Sequence, residues 1–301
     1  MNDRCDGEIW ATKPLRTMIR SLNVIILSIV YVGLLKGQPL LDEVQLAQLQ
    51  LEPYKEWFHD GFEAYQTGAD AIKNLKSSRK DFTYEIYFGT WCGDSRREVP
   101  RFLKMLDDIG VMESRIKLIA LDREDGVYKQ SPSKYEKDLG IYRVPTFRVL
   151  QNGNEVGRIV EYPVESLEAD LLSVVEGKAY TPNYHTFPVI DDWLEQGLMS
   201  GPNTSIRGLA NQLRPQVFHF TELNSVAHVL MDQGKTLEAL KVYRMNAYLF
   251  NDNATCLVML ARAYYKLGQL DQALNVYKEA WKLEPGDEDI FTEMMEVASS
   301  S

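Results

Sequence analysis

Apolar residues recur along this chain at spacings that change from one stretch to the next. Leu41, Val44, Leu46, Leu49 and Leu51 repeat at near-helical intervals up to Pro53. Trp57, Phe58, Phe62, Tyr65, Ile72 and Leu75 continue with a second stripe, so residues 40–78 read as helical. Phe82–Phe88 (FTYEIYF) is aromatic-rich and predicts a strand. Val99, Phe102, Leu103 and Leu106 mark a helix by their i, i+3, i+4, i+7 spacing. Arg115–Leu121 predicts a second strand, Tyr128–Leu139 a partly helical stretch, and Thr146–Leu150 a third strand. Asn152-Gly153 is a hairpin signal that returns Glu155–Val160 as a fourth strand. Ser166 caps a helix with Leu167, Leu171, Leu172 and Val175 on one face, and Gly177 stops it. Strands alternating with helices imply an α/β layer fold, a central mixed sheet flanked by helices.

Prolines 182, 188, 202 and 215 break up residues 181–219, which read as a linker with short helices near Ile190–Leu194 and Ser205–Leu213. Beyond residue 220 the chain repeats. A shift of 34 residues pairs Leu223 with Leu257, Ala227 with Ala261, Gly234 with Gly268, Ala239 with Ala273 and Tyr243 with Tyr277. Small residues at fixed offsets let two helices approach closely, and the glycine closes the turn between them. Period and residue types resemble the tetratricopeptide repeat. The second copy, Ala254–Asp287, fits better; the first has Leu230 for Tyr264 and Asn246 for Ala280. The expected division is an N-terminal segment (1–38), an α/β domain with leading helices (39–180), the linker (181–219) and all-α repeats (220–301).

Within the first segment, Leu22–Leu35 (LNVIILSIVYVGLL) carries no charge, and Arg16 and Arg20 precede it. A run this short suits a signal-peptide apolar region better than a membrane span of roughly 20 residues. Met18 then reads as the true start and Cys5 as irrelevant to the mature protein. The cleavage site is poor, because Leu35 rather than a small residue precedes Gly37, so an uncleaved anchor is the other reading. Export to a periplasmic or extracellular space would put thiol chemistry outside the reducing cytosol.

Charge narrows the partners. The 301 residues carry 33 Lys plus Arg against 43 Asp plus Glu, a net charge of −10. Duplex binding needs a basic face, so nucleic acid is not expected. Three dispersed cysteines (5, 92, 256) give no disulfide framework, and four dispersed histidines give no metal cluster. No cofactor motif is present. Asp122–Gly126 lacks calcium-loop spacing and reads as a solvated turn.

The chemistry concentrates at Phe88-Gly89-Thr90-Trp91-Cys92-Gly93-Asp94-Ser95. A strand ends, a Trp-Cys turn follows and a helix begins. Cys92 therefore falls at a helix N-terminus, where backbone N–H groups favour a thiolate. Pro100 follows inside that helix, and Val144-Pro145-Thr146 opens a later strand. With these residues, roughly 52–178 resemble the thioredoxin-like superfamily. The resemblance implies a cis peptide before Pro145, packed against Cys92. It also implies a substrate shelf at Val144, Pro145 and Thr146, with Trp91, Gly93 and Asp94 beside it.

The departures are specific. Ser95 stands where the family has its second cysteine, Asp94 where it has proline, and Ile86 where thioredoxin proper has a buried acid. Serine cannot resolve a mixed disulfide. Cys92 would then act as a monothiol resolved by an external thiol, hold clients covalently, or be redox-silent. Arg96 and Arg97 would stabilise a thiolate or pair with Asp94, Glu98 or solvent. A cysteine peroxidase of this superfamily wants Thr three residues before the cysteine, where Gly89 stands. Two functions remain in play. One is one-cysteine thiol–disulfide exchange at Cys92 and Ser95 with protein or small-molecule thiols, the repeats binding a protein or peptide. The other is a non-catalytic scaffold.

Overall fold

The computed structural model describes residues 39–78, 81–201 and 204–300. The expected signal segment, its alternative as an anchor, Met18 and Cys5 lie outside them. Among the described residues, no helix is long and apolar enough to cross a membrane.

Among the described residues, the α/β part is built on five strands: β1 (Asp42–Val44), β2 (Phe82–Phe88), β3 (Ile116–Ala120), β4 (Thr146–Gln151) and β5 (Asn154–Val160). They form one mixed sheet in the order β1-β3-β2-β4-β5. In it β2 and β3 run parallel, and the other neighbouring pairs are antiparallel. The helices that accompany the sheet are α1 (Leu46–Leu49), α2 (Lys55–Ala64), α3 (Ala69–Ser77), α4 (Gly93–Ile109) and α5 (Leu167–Val175). Period-two alternation sorts β2. Phe82, Tyr84, Ile86 and Phe88 face the helices, where Phe102 of α4 stacks on Phe147 at 4.3 Å. On the opposite face, Glu85 pairs with Arg148, which also bonds Glu155 at 2.6 Å. Tyr87, Ile119, Leu121, Ile141 and Val144 form a smaller cluster, with Trp91 and Cys92 packed against it.

Two expectations fail for tertiary reasons. Residues 42–44 are a strand, not a helix. The outer edge of β3 has unpaired backbone groups, and Asp42–Val44 pairs with Leu118–Ala120 to cover them. Asp42 is further tied to Ser133, whose N–H it accepts at 2.7 Å. Tyr128–Leu139 forms successive turns and no helix. Lys129, Lys134 and Asp138 adopt positive φ, and Ser131 Oγ accepts the Tyr135 N–H at 2.9 Å. Side-chain caps have replaced the helical backbone ladder here.

The all-α part comprises α6 (Thr186–Glu195), α7 (Ile206–Leu213), α8 (Phe220–Asp232), α9 (Thr236–Leu249), α10 (Ala254–Lys266), α11 (Leu270–Leu283) and α12 (Glu288–Ser300). Gly234 and Gly268, at the α8–α9 and α10–α11 turns, have φ of 79° and 70°. Glycine enters that left-handed region without strain. Ala227, Ala239, Ala261 and Ala273 are fully buried at the close helix contacts. Asn246 replaces the expected alanine for a reason. It is fully buried, and its amide donates to Phe220 O at 2.9 Å and Asn224 Oδ1 at 2.8 Å.

Residues 181–219 are not a free connector. Phe187, Ile190 and Trp193 of α6 and Leu209 and Leu213 of α7 share one core with α8–α10. Tyr142 and Val160, from the sheet side, belong to the same core. Tyr142 also donates to Asp191 of α6 at 2.6 Å.

Candidate functional site

The turn from β2 into α4 is tightly specified. Cys92 N–H donates to Gly89 O at 2.9 Å, closing it. A Cβ on Gly89 would lie 2.6 Å from the Trp91 indole, so a larger residue there would have to displace that ring. Cys92 is the N-cap residue of α4, with extended backbone and a half-buried side chain. Its thiol donates to Val144 O at 3.3 Å. The Val144–Pro145 peptide is cis. Pro145 O accepts the Glu161 N–H at 2.7 Å, and Thr146 Oγ1 donates to Arg143 O at 2.7 Å. The chain thus brings Cys92 and the Val144–Pro145–Thr146 stretch together across 52 residues of sequence.

The other candidates take distinct places. Ser95 is fully buried, and its Oγ accepts the Gly89 N–H at 3.2 Å. Its hydroxyl braces the turn from inside. Trp91 donates from Nε1 to Leu121 O at 3.0 Å. A Cβ on Gly93 would meet open space. Asp94 pairs with Arg97 at 2.7 Å, and Arg97 Nε reaches Glu98 at 2.6 Å. Arg96 Nε donates to Thr90 O at 2.6 Å. Arg96 and Arg97, the candidate thiolate stabilisers, are held within their own turn, Arg96 by the Thr90 carbonyl and Arg97 by Asp94 and Glu98. Cys256 is buried inside α10, and burial, then the charge of Asp252, pushes its thiol up to about 12.

A second group of residues completes the site, and sequence patterning missed it. Tyr128 lies 5.7 Å from the Trp91 ring and stacks on His228 of α8 at 4.5 Å. Lys129 is buried, and its Nζ donates to Tyr142 O at 2.6 Å. Burial, reinforced by Arg143, lowers its pKa to about 7. Arg143 pairs with Glu161 at 3.1 Å and donates to Thr221 O of α8 at 3.1 Å. Burial raises the Glu161 carboxyl above its usual range, against the pull of Arg143. Asp232 of α8 accepts Gly126 N–H at 2.8 Å and Tyr128 N–H at 3.3 Å, and pairs with Lys266 at 2.9 Å. Only Arg143, next to Val144-Pro145, carried a local signal. Tyr128 and Lys129 lie in turns without periodicity, Glu161 follows β5, and His228 and Asp232 sit on α8, so no local pattern joins them.

A family model for the tetratricopeptide repeat matches residues 230–292. Repeats of this type generally bind protein partners. No curated protein matches the chain. The match begins at Leu230 within α8, the helix that supplies Thr221, His228 and Asp232 to the surroundings of Cys92. Among the described residues, no group of three His, Cys, Asp or Glu side chains is arranged to hold a metal ion.

Proposed function

We propose that this chain is an exported, thioredoxin-like protein that performs one-cysteine thiol–disulfide exchange on clients gathered by its helical repeats. The observation that carries the reading is Cys92 at the start of a 17-residue helix, its thiol 3.3 Å from the carbonyl of the residue preceding Pro145. A half-buried cysteine at a helix start, with backbone shaped beside it, is the environment in which thiols react. Buried Ser95 in place of a second thiol supports exchange over a dithiol cycle. The export component rests on the uncharged run Leu22–Leu35.

In the first step, Cys92 gives its proton to solvent. Its sulfur attacks one sulfur of a client disulfide R–S–S–R′. A Cys92–S–S–R bond forms, the client S–S bond breaks, and R′S⁻ leaves with the electron pair and takes up a proton. A second, external thiol R″SH then attacks the mixed disulfide. It releases R–S–S–R″ and restores the Cys92 thiol. No net oxidation or reduction occurs, and the external thiol is the co-reactant that Ser95 cannot replace.

The test is to express the full chain in an oxidising compartment and analyse it on non-reducing gels and by intact mass, beside Cys92→Ser. Adducts that disappear in Cys92→Ser support exchange. A free Cys92 thiol with no adducts, together with unchanged partner capture by Cys92→Ser, would replace this reading with a non-catalytic scaffold.

A further inference from the structure

Among the described residues, β5 has β4 on one side and no strand on the other. The opposite edge strand, β1, is three residues long and tied to Ser133, whereas β5 runs for seven. Its pairing with β4 skips Val156, so Gly157–Val160 is the regular part of the free edge. Such an edge presents backbone N–H and C=O groups to whatever extended chain comes beside it.

The space beside this edge is a groove rather than open surface. A cavity of about 530 Å³ runs along β5, walled by Val174 and Tyr180 and by Phe187, Asp191 and Glu195 of α6. Val174 and Tyr180 belong to the core on one face of the sheet, and Phe187 to the core on the other. Phe187, Asp191 and Glu195 follow one another at intervals of four, so they form a row along α6.

The charges of the groove are unbalanced. Its two cations are already engaged: Arg158 bonds Glu155 at 2.7 Å and Leu139 O at 2.9 Å, and Lys178 pairs with Glu176 at 2.6 Å. Asp191 accepts the Tyr142 hydroxyl at 2.6 Å. Among the described residues, no cation forms an ion pair with Asp191 or Glu195. Burial, with Glu195 adding to it, raises the Asp191 carboxyl above its usual range, against the Tyr142 hydrogen bond and the charge of Arg158. A half-buried carboxylate of this kind is complemented by a cation from outside.

We infer that the groove takes an extended segment of a protein partner as a strand added beside β5, with a Lys or Arg of that segment seated on Asp191 and Glu195. Main-chain bonds to the edge supply affinity, and the walls read alternate side chains. Successive side chains of the added strand point to opposite faces. One set meets Val174 and Tyr180 and is apolar; the other meets the row on α6 and carries the basic residue. A second copy of this chain would present β5 itself, whose Arg158 is committed to Glu155. The inference stands apart from the chemistry of Cys92.

The experiment screens the full chain against an array of short peptides. One alternate set of positions holds valine, leucine or phenylalanine, and the other holds lysine, arginine, glutamate or serine. Lysine- and arginine-bearing peptides should bind. The affinity of the best of them, by fluorescence anisotropy, should fall roughly tenfold or more in Asp191→Asn/Glu195→Gln. Its binding should slow deuterium exchange within residues 154–160. N-methylation of one alternate set of peptide nitrogens should abolish binding, while methylation of the other set is tolerated, a pattern that needs no variant of the chain. An array without binders, a preference for glutamate, equal effects of the two methylations, or affinity unchanged in the double variant overturns the inference. So does protection of residues 154–160 that arises from self-association without peptide.

Discussion

Lys129→Met makes a quantitative prediction about stability. The lysine changes from 10.5 in the unfolded chain to about 7 in the folded one, because it is buried and faces Arg143. Below about pH 7 both states hold the proton, and the folded state bears the full cost of a buried ammonium. Between about pH 7 and 10.5 the unfolded chain holds more protons, so folding stability rises with pH. The depression of the pKa corresponds to about 5 kcal/mol, at roughly 1.4 kcal/mol per unit. Methionine removes this titration and also removes the donor to Tyr142 O. The lost hydrogen bond shifts the variant by a constant; the titration sets the slope. Urea unfolding of the two chains at pH 6 and pH 9.5 isolates that slope. Relative to the variant, the unmodified chain should gain about 3 kcal/mol over this interval. Parallel pH dependences would falsify the account of Lys129 as a buried, titrating charge.

Three further substitutions probe the site. Ser95→Cys should convert accumulating mixed disulfides into an internal disulfide between Cys92 and the thiol introduced at position 95, seen as loss of adducts and a mass decrease of two hydrogen atoms on oxidation; persistence of the adducts would refute the monothiol logic. Gly89→Ala places a methyl against the Trp91 indole, so a cost of about 1–3 kcal/mol in denaturant and altered tryptophan emission are expected; unchanged emission would argue against the close packing. Asp232→Ala removes the acceptor for two loop N–H groups and the partner of Lys266. It should cost about 1–3 kcal/mol and speed proteolysis within residues 122–143, and protease resistance equal to the unmodified chain would count against that anchoring.

What could be read from the sequence was whatever obeyed a local period. The strand at Phe82–Phe88, the helix marked by Phe102 and Leu106, and the paired glycines 234 and 268 each follow from spacing and residue type. Ser95 and the Val144-Pro145 stretch were readable by type, although nothing in the sequence reveals that Ser95 bonds Gly89. The misses share a cause. Asp42–Val44 becomes a strand because a distant edge needs covering, and residues 128–139 turn because side chains cap the backbone. Tyr128 meets His228 only after the helical part packs on the loop, and Arg143 finds Glu161 across 18 residues of sequence. No window along the chain contains them together.

The position of α8 bears on how such a protein can diversify. Helical repeats are commonly treated as exchangeable parts, grafted to alter which partner is recruited while the catalytic unit stays fixed. In this chain the first repeat helix holds the loop that carries Tyr128 and Lys129, and its Thr221 carbonyl accepts Arg143 beside Val144. Substitutions selected for a new partner on that helix would also remake the wall around the thiol. On the exchange reading proposed above, recognition and chemistry would be inherited jointly; a fusion joint drawn between residues 180 and 220 would cut through a shared core rather than a hinge.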